Sequence, residues 1–358
     1  MQRVFDGHND VLLRLWETQR KGGDPIKEFI DGTKIGHIDL PRSRKGGLAG
    51  GICAIYVPSG EHIELGKPDT NGHYVTPLSP PLERAPSLDI ALEFASLALR
   101  LEEAGGWQLC RNGTELDAAI EGDTFAAVLH MEGCEAIDAD LAALDVFYAA
   151  GLRSLGPVWS RNNIFAHGVP FAFPMSPDTG PGLTEAGERL VKACNRKGIL
   201  IDLAHITEKG FWDVAKLSDQ PLIVSHSNAH GLTPVARNLT DRQMDAIRES
   251  KGLAGLNYAT TMLRSDGMEN AQTPLSDVVR HIDYMVERMG IDCVALGSDY
   301  DGATIPAEIG DAAGTQNLVT ALQKAGYSED ELAKLCRNNW VRVLKQAWHE
   351  AALPETKQ

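Results

Sequence analysis

The feature that most constrains this chain is a rhythm. Short β-branched or apolar runs recur about eight times, each followed by a loop and an amphipathic stretch. The runs are VFDGH (4–8), GGICAIYV (50–57), FAAVLHME (125–132), RSLGPVWS (153–160), GILIDLAH (198–205), PLIVSHSN (221–228), GLAGLNY (252–258) and CVALGSD (293–299). Between them lie segments such as SLDIALEFASLALRLEEAG and TEAGERLVKACNRKG. The first carries apolar residues at helical spacing, and both end near Gly. Strand and helix alternating eight times predicts an α/β fold, a (β/α)8 TIM-type barrel. A doubly wound sheet competes, but no dinucleotide loop is present. GGLAGG (46–51) enters a strand rather than a helix, which is the wrong context for phosphate.

Two stretches break the rhythm, 58–86 and 161–182, both rich in Pro, Gly and polar residues. Each follows a predicted strand, so each is expected as an insertion over the C-terminal face, the second as a wall or lid. With these insertions, residues 1–358 read as one barrel domain. The closing SEDELAKLCRNNWVRVLKQAW (328–348) is expected as a capped helix on the outside.

The polar residues at predicted strand ends share one polarity. His8 and Asp10 end the first strand, Glu132 the third, His205 the fifth, His226 the sixth and Asp299 the eighth. All lie at C-terminal ends, where a barrel builds its active site. His8 and Asp10 are two apart and point the same way on a strand, so both reach one cation. His205 and His226 come from neighbouring strands and share a second, with Glu132 able to bridge. Three imidazoles and two carboxylates suit two divalent metal ions, Zn2+ or a similar borderline ion. Such a pair holds a hydroxide at neutral pH and polarises a carbonyl.

Asp299 lies in GSDYDG, where it can act as acid and base beside the metals or serve only as a turn residue. A calcium loop is excluded, because Gly310 stands where the twelfth-position Glu would be. Asp6 lies deeper on the parity of His8 and reads as support. By alternation Asp202 faces the helices, and Ser225 and Ser227 lie opposite His226, which argues against a Ser–His nucleophile. His37, His62, His73, His130, His281 and His349 read as structural. No GxSxG or HExxH occurs.

Composition narrows the partners. A net charge of −15 without a basic run argues against nucleic acid and anionic membrane. No secretory signal and no membrane-spanning run is visible. The six scattered cysteines form no CxxC pair and read as reduced thiols, so a cytoplasmic protein is expected.

DGHND (6–10), HMEG (130–133), LIDLAH (200–205), SHSNAH (225–230), ARN (236–238) and GSDYDG (297–302) together resemble the membrane (renal) dipeptidases, peptidase family M19 of the amidohydrolase barrels. The resemblance runs in order from Phe5 to about Leu344. It implies a binuclear zinc site, with His8, Asp10 and bridging Glu132 on one metal and Glu132, His205 and His226 on the other. It implies Asp299 as acid/base, Arg237 as the clamp for the free carboxylate of a dipeptide, tolerance of a D-residue on the carboxyl side, and a homodimer. Trp159 and Tyr258 complete the expected substrate-binding set. One departure stands out: where mammalian members carry a His in a THS stretch, this chain has VWS, with Trp159 in that place. His167, in the following loop, is a candidate substitute. Mammalian members are also secreted and lipid-anchored, whereas the polar ETKQ end carries no apolar tail. An N-acyl-D-amino acid or lactone hydrolase, and a metal-binding protein without turnover, are the alternative readings.

Overall fold

The computed structural model describes residues 1–60 and 66–348; His62 and His349 lie outside them. The eight apolar runs form eight parallel strands: β1 Val4–Asn9, β2 Leu48–Tyr56, β3 Phe125–Glu132, β4 Leu152–Gly156, β5 Leu200–Ile201, β6 Ile223–Val224, β7 Leu253–Leu256 and β8 Val294–Leu296. β1 to β5 pair in sequence order, and β6, β7 and β8 form a second ladder. Single bridges join the two: Asp202 to Ile223 on one side and Asn9 to Tyr300 on the other. The ring is the expected TIM-type barrel.

The strands divide their side chains by parity. On β3, Phe125, Ala127, Leu129 and Met131 join the outer core under the helices. Ala126 and Val128 join an inner cluster with Phe5, Ile52, Leu200, Ile223, Leu253 and Ala295. Burial on both faces explains why the sequence reads as continuous apolar runs rather than alternation. Helices cover the outside with local stop and start signals. Thr184 caps Glu185–Lys197 by accepting from Gly187 N, and Gly198 ends that helix in the left-handed region.

Three features depart from expectation. First, β5 and β6 are only two residues long. Beyond them the Asp202 carboxylate accepts from the backbone N–H groups of Ser225 (2.7 Å) and Ala204 (3.1 Å). A side chain thus takes over hydrogen bonds that a ladder would make.

Second, the two insertions are stitched together. Tyr74–Thr76 pairs antiparallel with Phe171–Phe173, with Tyr74 opposite Phe173.

Third, the closing segment does not simply lie outside. After the Ser328 capping box, a π-helical stretch (Lys334–Asn338) leads into Asn339–Ala347. The apolar face of that last helix (Trp340, Val343, Leu344, Ala347) belongs to the inner barrel cluster. Trp340 donates its indole N–H to Leu296 O at 2.8 Å. A Cβ added at Gly7 would run into its ring, and one at Gly255 would stand 3.1 Å from it. An outward-packed helix would leave the barrel floor open, and Trp340 closes it.

All six cysteines are buried and unpaired. No helix among the described residues is long and apolar enough to cross a membrane.

Candidate active site

At the opposite end of the ring, strand ends deliver polar side chains to one cup. His8 comes from β1. Asp10 follows at the start of the helix Val11–Arg20, where its side chain makes no capping bond and is left free for the cup. Glu132 is the last residue of β3. His205 and Asp299 both adopt left-handed backbone (φ 66° and 60°). That conformation is uncommon for side chains with a Cβ and gathers at functional sites.

Glu132 Oε1 is the hub. It lies 3.1 Å from His205 Nε2, 3.5 Å from His8 Nε2 and 3.6 Å from His226 Nε2. His8 Nε2 is 3.6 Å from Asp10 Oδ2, and the His8 and His226 rings stack 3.9 Å apart. His8, Glu132 and His226 could share one metal ion, and so could His8, Asp10 and Asp299.

Burial sets the charges. It pushes Glu132 up to about 8, with Asp10 and Asp299 adding to the rise and His8 working against it. It raises Asp299 as well. For His8, burial opposes a proton, yet Glu132, Asp10 and Asp299 prevail and lift it to about 10. His205 and His226 are held well below the ordinary imidazole value by burial, then by Arg237 and His8. Three carboxylates, Asp10, Glu132 and Asp299, crowd the cup, and His8 and Arg237 are the groups whose positive charge would oppose them.

The donor set fits metal ions. Both ring nitrogens of His8 are buried without a hydrogen-bond partner among the described residues. Arg237 Nη2, which can only donate, lies 3.1 Å from His205 Nε2, so that nitrogen is the unprotonated one, and its lone pair, which accepts from Arg237 here, is the one a metal ion would take over. Imidazole lone pairs and carboxylate oxygens converging on one point are what a borderline divalent ion requires.

Around the cup lies a cavity of about 820 Å3. Asp10, Glu132, His205, Arg237 and Asp299 line its floor, and Tyr56, Trp159 and Phe171 its aromatic wall. Trp159 stands 5.1 Å from Tyr56 and 5.5 Å from His205, ring centre to ring centre. Behind the wall, fully buried Arg161 pairs with Glu135 at 3.1 Å and lies 5.5 Å from the Trp159 ring centre. Phe171 brings the second insertion in as a wall, and Met175 N anchors that insertion on Pro234 O at 2.8 Å.

Other expected residues stand elsewhere. Tyr258 is not at the cavity; its ring is buried edge-on to Tyr300 in the outer core. His167 is held at Gly182 O (3.0 Å) and does not line the cavity. Asp6 stays below the cup, accepting from Ser298 N and Oγ and from Asn9. Asp202 does not face the helices. It is buried inside the barrel, 3.7 Å from His130 Nε2. Ser225 is not opposite His226 either, since its Oγ lies 2.7 Å from His226 Nδ1. Alternation fails at both places because the strands end at Ile201 and Val224. His130 is hydrogen-bonded to Ser154 (2.9 Å), as a core histidine should be, yet its ring also meets His8 edge-on at 5.7 Å.

The sequence reading also missed Asn257 and Ser160. Asn257 Nδ2 donates to Asp299 Oδ2 at 2.9 Å, and Ser160 Oγ lies 2.8 Å from His205 Nδ1. Asn257 shares parity with inward-facing Gly255 on the seventh run, a signal that could have found it.

A parallel eight-stranded barrel with this cluster at its strand ends defines an amidohydrolase-type hydrolase built for metal. The sequence matches the family described as membrane dipeptidase (peptidase family M19) over residues 1–357. A metallo peptidase from Rhodobacter sphaeroides, liganded with a phosphinate mimic of the dipeptide L-Ala-D-Ala, is 47% identical and superposes with a TM-score of 0.92, covering 97% of this chain and 99% of that one. The dipeptidase AC, a metallo peptidase of family M19, is 48% identical with the same TM-score and coverage. An uncharacterized protein in the pqqA 5′ region of Klebsiella pneumoniae is 48% identical over 247 residues, 69% of this chain and 91% of its own length. The chain belongs to the membrane dipeptidase family, peptidase family M19, and is a metallo-dipeptidase.

Proposed function

We propose that the protein hydrolyses dipeptides bearing a free C-terminal carboxylate and tolerates a D-residue on that side. The observation that carries this reading is Arg237. Its side chain lines the cavity floor, its Nη atoms are held by Ser227 Oγ (3.3 Å) and His226 O (3.3 Å), and its Nε–H has no hydrogen-bond partner among the described residues. A buried guanidinium at the floor of a cavity suits a substrate carboxylate. The dipeptide mimic bound by the Rhodobacter relative supports the same substrate class and the D-configured second residue.

His8, Asp10 and Glu132 would hold one divalent cation, and Glu132, His205 and His226 a second, zinc being the ion best matched to these donors. Such a pair supplies ionised water as nucleophile at neutral pH and Lewis acidity at the carbonyl. Arg237 fixes the substrate by its carboxylate and so sets which carbonyl faces the cup. Asp299, its Oδ2 steadied by Asn257, takes a proton during attack and returns it to the departing amine. The Trp159 indole offers a neutral N–H donor and, with Tyr56 and Phe171, an apolar wall that keeps water out. Glu269 lines the same cavity, which favours a substrate with a free ammonium group over an N-acylated one. The unpaired cysteines suit a reducing compartment such as the cytoplasm, and the family resemblance suggests a homodimer.

The test is a panel of dipeptides, each as the L,L and L,D form, with zinc-loaded protein. Cleavage abolished by a chelator is expected, and N-acetylation of the substrate should suppress it. Cleavage of acylated D-amino acids but of no dipeptide would replace this reading.

A further inference from the structure

We infer that Asp202 is a positioning residue that, through the hydroxyl of Ser225, fixes the His226 imidazole in the tautomer able to bind metal. The inference rests on the reading of His226 as a ligand.

Hydrogen-bond accounting carries it. Asp202 Oδ1 accepts from two backbone N–H groups, Ser225 at 2.7 Å and Ala204 at 3.1 Å. Asp202 Oδ2 lies 2.5 Å from Ser225 Oγ. An ionised carboxylate only accepts, and a hydroxyl has one proton to give. The Ser225 proton therefore points at Asp202. Ser225 Oγ is left with lone pairs, and one of them faces His226 Nδ1 at 2.7 Å. That contact is a hydrogen bond only if Nδ1 carries the proton. Neutral His226 then has a bare Nε2, the atom nearest the Glu132 oxygen. His205 reaches the same state by another route. Arg237 can only donate to its Nε2, so its Nδ1–H goes to Ser160 Oγ. His205 Nε2 and His226 Nε2 lie 3.1 Å apart, close enough for one cation to take both nitrogens. The direction of the chain also explains why Ser225 is not a nucleophile, since its proton is committed to Asp202.

The chain can be reversed without changing its shape. In Asp202→Asn, the amide oxygen must keep the two backbone donors, so the NH2 group turns to Ser225. The Ser225 hydroxyl then donates to His226 Nδ1, and the imidazole proton moves to Nε2, where it blocks metal. Ser225→Ala removes the constraint without reversing it, and Ser225→Thr keeps it.

Two measurements test this. The first is the tautomer of His226 in metal-free protein, from long-range 1H–15N correlation of 15N-histidine-labelled samples, assigned by signal loss in His226→Gln. The second is zinc stoichiometry and affinity by competition with a chromophoric chelator. Asp202→Asn should convert His226 from the Nδ1–H to the Nε2–H form and weaken one zinc by about ten- to hundredfold, the usual cost of losing a partner behind a ligand. Ser225→Ala should give a smaller loss and Ser225→Thr near wild-type affinity. An Nδ1–H tautomer with wild-type zinc affinity in Asp202→Asn would overturn the inference. If that variant does not fold, unchanged tautomer and affinity in Ser225→Ala would overturn it. Wild-type protein that binds no zinc would defeat the proposed function, while the metal-free tautomer would still decide the role of Asp202.

Discussion

Asn257 holds Asp299 by a single hydrogen bond, Nδ2 to Oδ2 at 2.9 Å, and is itself locked by Asn228, whose Oδ1 accepts from Asn257 N at 2.8 Å. Among the described residues, the one side chain hydrogen-bonded to the Asp299 carboxylate is thus an amide just past the neighbouring strand. Asp299→Asn is expected to leave zinc stoichiometry intact and lower kcat by roughly 10²–10⁴-fold, the usual contribution of a positioned acid/base group. Near-normal kcat with full metal would remove Asp299 from the proton path.

Arg237→Ala should act on the substrate end. Loss of a hydrogen bond to a charged group costs about 1.5–3 kcal/mol, or roughly ten- to a hundredfold in kcat/KM. The loss should fall on dipeptides and spare amides that lack the terminal carboxylate. Equal losses on both would show that Arg237 only supports His205 and His226.

Trp340→Ala should act on stability rather than chemistry. The ring is fully buried at the barrel floor, and truncating such a side chain costs about 3–5 kcal/mol. Urea denaturation should show the loss, with kcat per folded molecule near wild type. Wild-type stability would mean that the floor can close without the indole.

His281 makes a pH prediction far from the cup. Burial lowers it to about 4, only partly offset by its hydrogen bond to Leu263 O. Its folded pKa lies below its unfolded value near 6.5, so below that value the unfolded chain binds the extra proton. This contribution is neutral above pH 6.5 and destabilises as pH falls toward 4, by about 3 kcal/mol at full extent. His281→Gln should flatten that part of the stability–pH curve. Parallel curves for variant and wild type would show that His281 is not its source.

Parity served where the ladder is long. Glu132 ends an eight-residue strand, and its inward direction follows from Ala126 and Val128 before it. It failed where tertiary bonds shorten the strand. Asp202 and Ser225 each follow directly on a two-residue strand, and a side chain tying two strands together leaves no periodic trace in sequence. The left-handed turn at His205 is equally silent, because a non-glycine residue there announces nothing. The amphipathic pattern around Trp340 foretold a buried face but not which surface it meets. Tyr258 shows the converse error: a polar aromatic at a strand end is turned into the core.

The pairing of Tyr74–Thr76 with Phe171–Phe173 has a consequence for protein engineering. Phe171 lines the cavity above the cup, yet its backbone register is written partly in a stretch almost a hundred residues earlier. A graft that moves one insertion from a relative carries half of a two-part seam, and its new edge meets a partner selected for another sequence. The rim of this pocket is a cassette with two cut sites, to be exchanged whole.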